Sequence, residues 1–460
     1  MKTQRTESEL RFKGPGRREL VARFDGGTIS SDGGAVLLGR VEQEMQIVGR
    51  FSTCFRDHRD SARVEHSARE LVMQRVLGLC LGYEDLSDHD RLRADPLLGL
   101  LAGKADPDSL LAGKSTLSRL ELSTAGGAAS DRYKRLSLDA ESVDRLLVEV
   151  FLESTSAPER IVIDLDATDF AIHGLQEGRF FHGYYDHYCY LPLYIFCGEH
   201  LLRARLRRSN IDASAGAIDE LAPVVEQIRA AWPKTRILLR ADSGFCREEL
   251  MAWCESQGID YVFGLARNER LEAMSQRFLG LAQCAYAASL ASERSYGELE
   301  YSTLNSWSRS RRVVVRAEHS RHGDNPRFIV TSMSEQEIDG KKLYEEVYCA
   351  RGDMENRIKE QQLDLFADRV SAQTMQANQV RLYFSSIAYT LMVALRRLGL
   401  KGTELERAQC GTIRLRLLKI GAQVRVTVRR VWLALSQAFP LQELFAQVLA
   451  NVRARAGPAT

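Results

Sequence analysis

Apolar positions keep a helical period through the first third of the chain and then change character. From about Ser61 to Leu152 the helical pattern dominates. It is plainest in SARELVMQRVLGLCLG, where Leu71, Val72, Val76 and Leu77 recur at helical spacing, and three more helices are expected before Pro158. Residues 1–24 are polar, carry Gly14-Pro15-Gly16 and read as a flexible arm. FDGGTISSDGGAVLLGRVEQEM then gives a turn-rich entry into an apolar helix. The pattern predicts an N-terminal helical domain over 25–157.

From Arg160 the period shortens. IVIDLDA is a β-type run, YLPLYIFCGEHLLRARLRR reads as two strands turning at Gly198-Glu199, and RILLRA and IDYVFGLA read as buried strands. Between them lie two helices, IDELAPVVEQIRAAW and REELMAWCESQG, the second closed by Gly258. Pro223 fits the first of these only if it lies in the opening turn. Alternation of strand and helix over 158–267 predicts an α/β sheet. Over 268–339 the segments SERSYGELEYST, RRVVVRAEHS and PRFIVTSM alternate like antiparallel strands, which predicts a β-rich insertion. Helix returns at Gly340–Leu363 and Gln373–Leu398, within a last helical part over 340–400. In the C-terminal region 401–460, IRLRLLKI-GA-QVRVTVRRVWLAL reads as a hairpin turning at Gly421-Ala422. That pairing would place Arg414 with Arg416 on one face, and Arg425 with Arg429 on one face.

Charge sharpens this picture. The net charge is only +2, yet from Arg381 to Thr460 there are 13 Lys and Arg against three acids, Glu404, Glu406 and Glu443. A basic end on a near-neutral chain favours a polyanion partner over a solvated tail. The arginine-lined strands either lie along phosphates or form a wet outer face. The length, 460 residues, suits two or three domains. No apolar run reaches 18 residues, and the charged N-terminus is not followed by an apolar stretch. A membrane span and a signal peptide are therefore not expected, and a cytoplasmic protein is. Nine scattered cysteines without CxxC or zinc spacing read as free thiols in a reducing compartment.

Three acids carry the candidate chemistry. Asp166 ends the strand IVIDLDA, Asp242 ends the strand RILLRA just before Ser243-Gly244, and Glu355 lies in the helix YCARGDMENRIKE. Carboxylates at two strand ends and on a packed helix are hard oxygen ligands, suited to two divalent cations that stabilise the entering and leaving oxygens of a phosphoryl transfer. Asp164 shares a strand face with Asp166, so it is either a further ligand or a supporting residue. On a regular helix Tyr348, Arg351, Glu355 and Gln362 fall within an arc of roughly 60°. There Arg351 could grip a phosphate bidentately and Tyr348 could hydrogen-bond or stack. The plainer reading is a surface helix with an ordinary Glu355–Lys359 pair.

Other features carry less. LLAGKST resembles a phosphate-binding loop, but Asp108 stands where that motif needs glycine. His173, His182 and His187, in or near the tyrosine-rich HGYYDHYCY, lack metal spacing and suit packing or DNA contact. Trp307 is read as a packed or half-exposed aromatic, with base stacking as the sharper alternative.

Taken together, YEDLSDHDRLRADPLL, TLSRLE, DLDATD, HGLQEGRFFHGYY, RADSGF, YCARGDMENRIKEQQLDL and ANQVRLYF resemble a DDE transposase of a bacterial insertion sequence, in the cut-and-paste group with the YREK signature. The resemblance runs from about Phe24 to about Phe445. Tyr348, Arg351 and Glu355 stand at the family spacing, whereas the signature lysine is replaced by Gln362, with Lys359 nearby as a substitute contact. It implies an RNase H-like catalytic domain interrupted by a β-rich insertion, preceded by a helical domain that binds DNA ends. Asp166, Asp242 and Glu355 would hold two Mg²⁺, with Mn²⁺ able to substitute. The implied partners are double-stranded DNA with terminal inverted repeats, target DNA, and a second copy of the chain or more on DNA. The implied reaction is nicking by water followed by attack of the freed 3′-OH. Tyr348, Arg351, Lys359, Trp307, Arg414, Arg416, Arg425 and Arg429 are the candidate DNA contacts. The competing functions are an RNase H-like nuclease without strand transfer and a DNA-binding derivative without catalysis.

Overall fold

The computed structural model describes residues 9–106, 109–123 and 136–455. The chain forms two compact units. One comprises the described parts of Met1–Gln46, Ser61–Ser118 and Ala394–Thr460; the other comprises Ile47–Asp60 and the described parts of Arg119–Val393. This division differs from a sequential domain plan. The helical stretch 25–157 is shared between the units, and the C-terminal region joins the N-terminal segments.

The first unit is mainly helical. Ala68–Cys80 opens on a capping box in which Ser67 and Glu70 satisfy each other's backbone amides. Its far end is closed by Arg414, whose Nε donates to the Cys80 carbonyl at 2.8 Å. The predicted hairpin at Gly421-Ala422 is displaced. Cys410–Ile413 is α-helical and Arg414–Leu418 continues as a π-turn, so Arg414 and Arg416 lie on a helix. The reason is burial: Cys410, Ile413 and Leu417 recur at helical spacing and are all buried, which outweighs the local Arg-Leu alternation. The hairpin formed is Ala422–Val426 with Val431–Leu435, turning at Thr427–Arg430. It carries Arg425 on a strand and Arg429 in the turn, both exposed. Leu10–Lys13 pairs with Glu19–Ala22, so the expected arm contains an exposed two-stranded ribbon.

The second unit is built on a mixed sheet. We label its long strands β1 (Arg160–Ala167), β2 (Leu193–Cys197), β3 (His200–Arg205), β4 (Arg236–Ala241), β5 (Asp260–Leu265), β6 (Glu293–Tyr301), β7 (Arg311–Ser320) and β8 (Arg327–Thr331). Their spatial order is β3-β2-β1-β4-β5-β8-β7-β6. β1, β2 and β3 are antiparallel neighbours, whereas β4 and β5 run parallel to β1. The strands expected in an insertion form no separate sheet. β8 pairs antiparallel with β5, so β6 to β8 extend the same sheet.

Two apolar layers fix the sheet. Ile161, Ile163 and Leu165 of β1 pack with Leu221, Val224 and Ile228 of helix Ala217–Ala231 and with Leu250, Met251 and Cys254 of helix Glu248–Gln257. Val162, Leu238, Val262, Val314 and Ile329 face the other way, onto Leu343, Tyr344, Val347 and Tyr348. Pro223 lies beyond the opening turn of its helix, contrary to expectation. It is exposed, so water can serve the carbonyl that its missing N–H leaves unbonded. Helix Glu269–Ser289, capped by Asn268 and absent from the sequence reading, packs Leu271, Phe278 and Leu279 against the first layer. Among the described residues no helix is long and apolar enough to cross a membrane.

Candidate active site

The acids meet on the second face of the sheet. β1 and β4 are parallel and in register, with Asp164 opposite Arg240 and Leu165 opposite Ala241. One residue further on, Asp166 and Asp242 emerge side by side where neighbouring strands are about 4.8 Å apart. Side chains alternate along a strand, so Asp164 and Asp166 share a face, as do Arg240 and Asp242. Asp242 ends β4 by accepting from the Gly244 amide at 2.8 Å, which opens a short 3₁₀ turn over Ser243–Phe245.

Glu355 arrives on the helical segment that covers this face. Gly340–Lys342 is α-helical, Leu343–Tyr348 a π-turn, Cys349–Arg351 a 3₁₀ turn and Gly352–Leu365 α-helical. The regular-helix arc read from spacing therefore does not hold, because π and 3₁₀ turns rotate by different amounts per residue. The side chains still converge. Arg351 Nη2 donates to Glu355 Oε1 at 2.7 Å, and its Nη1 lies 3.6 Å from Asp166 Oδ2. Glu355 thus pairs with Arg351 rather than with Lys359, which is exposed.

Beneath this cluster lies a buried ion pair. Arg240 Nε and Nη2 donate to the two oxygens of Asp164 at 2.5 and 2.8 Å, and its Nη1 donates to the Val347 carbonyl. Both side chains are almost wholly buried. With both oxygens engaged, Asp164 holds Arg240, and Arg240 ties β1 and β4 to the helical segment bearing Tyr348 and Arg351. Arg240 was not singled out in the sequence, although its offset from Asp242 matches that of Asp164 from Asp166.

Charge is unbalanced at the site. Burial pushes the Asp166 carboxyl up to about 7; Arg351 opposes the shift, while the charges of Asp242 and Glu355 add to it. The Arg351 guanidinium is disfavoured by burial, but Asp166, Glu355, Tyr348 and Asp242 hold its pKa above the ordinary value. One cation therefore faces three carboxylates. Among the described residues no three His, Cys, Asp or Glu side chains are placed to share a metal ion as they stand. The donor set nonetheless fits a hard divalent cation. It is all carboxylate oxygen, and a dication would relieve the negative charge of Asp242 and Glu355 that adds to burial in raising Asp166.

Tyr348 completes the floor. A Cβ at Gly264 would lie 2.6 Å from its hydroxyl and 2.9 Å from the Ser243 amide, so glycine is needed for the close approach of ring, strand and Asp242 turn. Burial pushes the Tyr348 phenol up to about 12, so it remains a neutral donor. Gly264→Ala should displace the tyrosine and the turn together and cost about 1–3 kcal/mol of stability, as overpacking does. Urea unfolding of the variant beside wild type checks this.

The other candidates lie apart from this cluster or on the other unit. Trp307 is half-buried, edge-on to Tyr301 at 5.5 Å, with the Arg311 guanidinium 5.4 Å from its ring centre. Arg414 is engaged with the end of helix Ala68–Cys80, and Arg416 pairs with Glu404 at 2.6 Å. Arg425 and Arg429 are exposed on the C-terminal hairpin. At the apparent phosphate loop, Lys114 donates its backbone N–H and its Nζ to Asp90, so a carboxylate already occupies that helix start. His187 bonds Asp169 at 2.7 Å.

No curated protein matches the chain. Among solved structures it is similar to the piggyBac transposase in its cryo-EM synaptic complex with hairpin DNA, at 9% identity and a TM-score of 0.40, over 94% of this chain and 83% of that one. The family described as transposase DDE domain group 1 matches residues 12–456. That match spans nearly the whole sequence, and the chain belongs to this family of DDE transposases.

Proposed function

We propose that this chain is the transposase of a bacterial insertion sequence of the YREK-signature group. In this reading it binds the element's terminal inverted repeats and carries out Mg²⁺-dependent cleavage and strand transfer. The observation that carries it is the convergence of Asp166 and Asp242, at adjacent strand ends, with Glu355 from the covering helix, around the single guanidinium of Arg351. The sheet supports an RNase H-like catalytic domain: three antiparallel strands in sequence, then two strands parallel to the first on its other side.

Two divalent cations held by Asp166, Asp242 and Glu355 would supply Lewis-acid stabilisation of the entering and leaving oxygens. The chain's own residues do the rest. Arg240 and Asp164 hold the two strand ends and the helical segment in register. Arg351 offsets part of the carboxylate charge through Asp166 and Glu355, and its guanidinium has the shape to take a DNA phosphate bidentately. Tyr348 offers its phenol beside Asp242. Lys359 is exposed one turn beyond Glu355, and Arg425 and Arg429 offer further cations to the DNA backbone. Two copies acting on the paired ends fit a reaction that cuts both.

The test is a reaction with linear DNA carrying the element's own ends, with Mg²⁺ or Mn²⁺ and with chelator. Cation-dependent cutting and joining is the expected result. Cutting without joining would reduce the protein to a nuclease, and binding without cutting would overturn the catalytic reading. Affinity should also fall with salt, each neutralised phosphate contributing about −0.9 to the log–log slope.

A further inference from the structure

Beside the acids stands a hairpin that the reaction outlined above does not use. Phe180–His182 pairs with His187–Tyr190, and Phe170–Ala171 pairs with the same second strand. This small sheet grows directly from the catalytic strands. Phe170–Ala171 follows the end of β1 at Ala167, and His187–Tyr190 leads into β2, where Tyr194 is the register partner of Asp166.

Its base is fixed on two sides. His187 bonds Asp169, three residues after Asp166, at 2.7 Å. The loop leading into it is tied to the segment that follows the Glu355 helix: Glu177 N–H donates to the Gln373 carbonyl at 2.9 Å, and Gln176 Nε2 donates to the Val370 carbonyl at 3.1 Å. The hairpin is thus held against both elements that bring the acids together.

What it presents is aromatic. Tyr184 at the tip is 85% exposed, Phe181 54% and Tyr188 45%. Phe181 stands edge-on to Tyr188 at 5.6 Å, and Tyr184 edge-on to Tyr185 at 5.0 Å. The Arg179 guanidinium lies 4.5 Å from the Tyr188 ring centre, which adds a cation to the same surface. Tyr185 packs against His182 at 4.9 Å and His187 at 6.2 Å, which ties the tip to the end of the hairpin that bonds Asp169. These rings lie outside the apolar layer that fixes the central sheet; Phe181 and Tyr188 pair across the hairpin, and Tyr184 at the tip is left to solvent.

We infer that the hairpin Phe180–Tyr190 is a stacking platform for unpaired bases of the DNA end held at the acids. Tyr184 and Phe181 offer the ring faces and Arg179 a cation. The occupant follows from position and chemistry. Rings with phenol edges beside a guanidinium, anchored next to a phosphoryl-transfer site, suit bases whose backbone already lies at that site. Trp307 is packed edge-on and under Arg311, and is less available for the same task.

The inference rests on the transposase reading, and its test separates the two. The probes are the element's terminal duplex with blunt ends, and the same duplex with a short single-stranded extension carrying 2-aminopurine. Wild type should bind the extended end about five- to a hundredfold more tightly than the blunt one and quench the fluorophore, as stacking of one base does. Tyr184→Ala with Phe181→Ala should bind the two ends alike and leave the fluorophore bright, whereas Tyr184→Phe should behave as wild type. Quenching and preference retained in the double variant would overturn the platform. So would a wild type that cuts blunt ends but shows no preference for the extension. Failure of wild type to bind or cut either probe would overturn the transposase reading itself.

Discussion

On the proposed transposase reading, Asp166→Asn should abolish cation-dependent DNA cleavage and, at alkaline pH, make the cation-free protein more stable. The first effect is expected to reach at least about a thousandfold, because stabilisation of developing charge by metal ions is worth several kcal/mol and each 1.36 kcal/mol is tenfold. The second follows from the buried carboxyl that burial and its acidic neighbours push up to about 7. Its unfolded value is about 3.9. Below both values the group is protonated in either state and costs nothing. Between them the folded protein holds a proton that the unfolded chain has lost, so stability falls as pH rises, and above about 7 the full penalty is present. A gap of about three pKa units sets a ceiling of about 4 kcal/mol on what the neutral amide recovers at pH 8. Thermal melts without divalent cations should therefore show the variant above wild type at pH 8 and level with it near pH 4. Equal melting at both pH values would contradict the electrostatic picture of the site.

Arg240→Met is expected to be the most destabilising single change at the site. It leaves Asp164 buried without its partner and frees the Val347 carbonyl from its donor. Breaking a buried pair from one side costs about 3–5 kcal/mol. For a unit of this size that lowers the melting temperature by about 10 °C. Adding Asp164→Leu removes the stranded charge and should recover most of the loss, since an apolar pair of similar volume is often neutral. The recovered protein should still cleave poorly, because the tie between the strands and the segment bearing Arg351 is gone. Urea unfolding of the single and double variants, beside a cleavage assay, separates the two roles. A double variant as unstable as the single one would show that packing, rather than the unpaired charge, governs the site.

The site was legible in the sequence where local pattern and chemistry agree. Period-two runs ending in Asp166 and Asp242 are strands that end there, and the helix motif brings Glu355 with Arg351 to the same place. Local spacing leaves the role of Asp164 open, because its partner Arg240 lies 76 residues away. The signal was present: Arg240 and Asp164 each stand two residues before an acid on a neighbouring parallel strand, which puts opposite charges face to face. Gly264 carried no signal of its own, since only the approach of Tyr348 makes its missing side chain matter.

The fold was less legible where pairing is long-range. Alternation in β6, β7 and β8 predicts strands but not that β8 docks on β5 and extends the central sheet. Arg414-Leu415-Arg416-Leu417 satisfies a strand period locally, whereas burial of Cys410, Ile413 and Leu417 selects the helical one. Alanines and Gly280 dilute the apolar stripe of helix Glu269–Ser289 and obscure its period, although Asn268 followed by Glu269 and Glu272 is a helix-start signature.

The central claim is that three carboxylates now gathered on Arg351 are the ligands of catalytic cations. The most direct measurement is anomalous scattering from Mn²⁺ in crystals of the protein bound to its DNA end. The account predicts peaks at roughly 2 Å from carboxylate oxygens of Asp166, Asp242 and Glu355, the distance at which oxygen ligates a small hard dication, with Arg351 turned away onto a phosphate. Peaks away from these three residues, or Arg351 still paired with Asp166 and Glu355 while the DNA end is bound and Mn²⁺ is present, would contradict it.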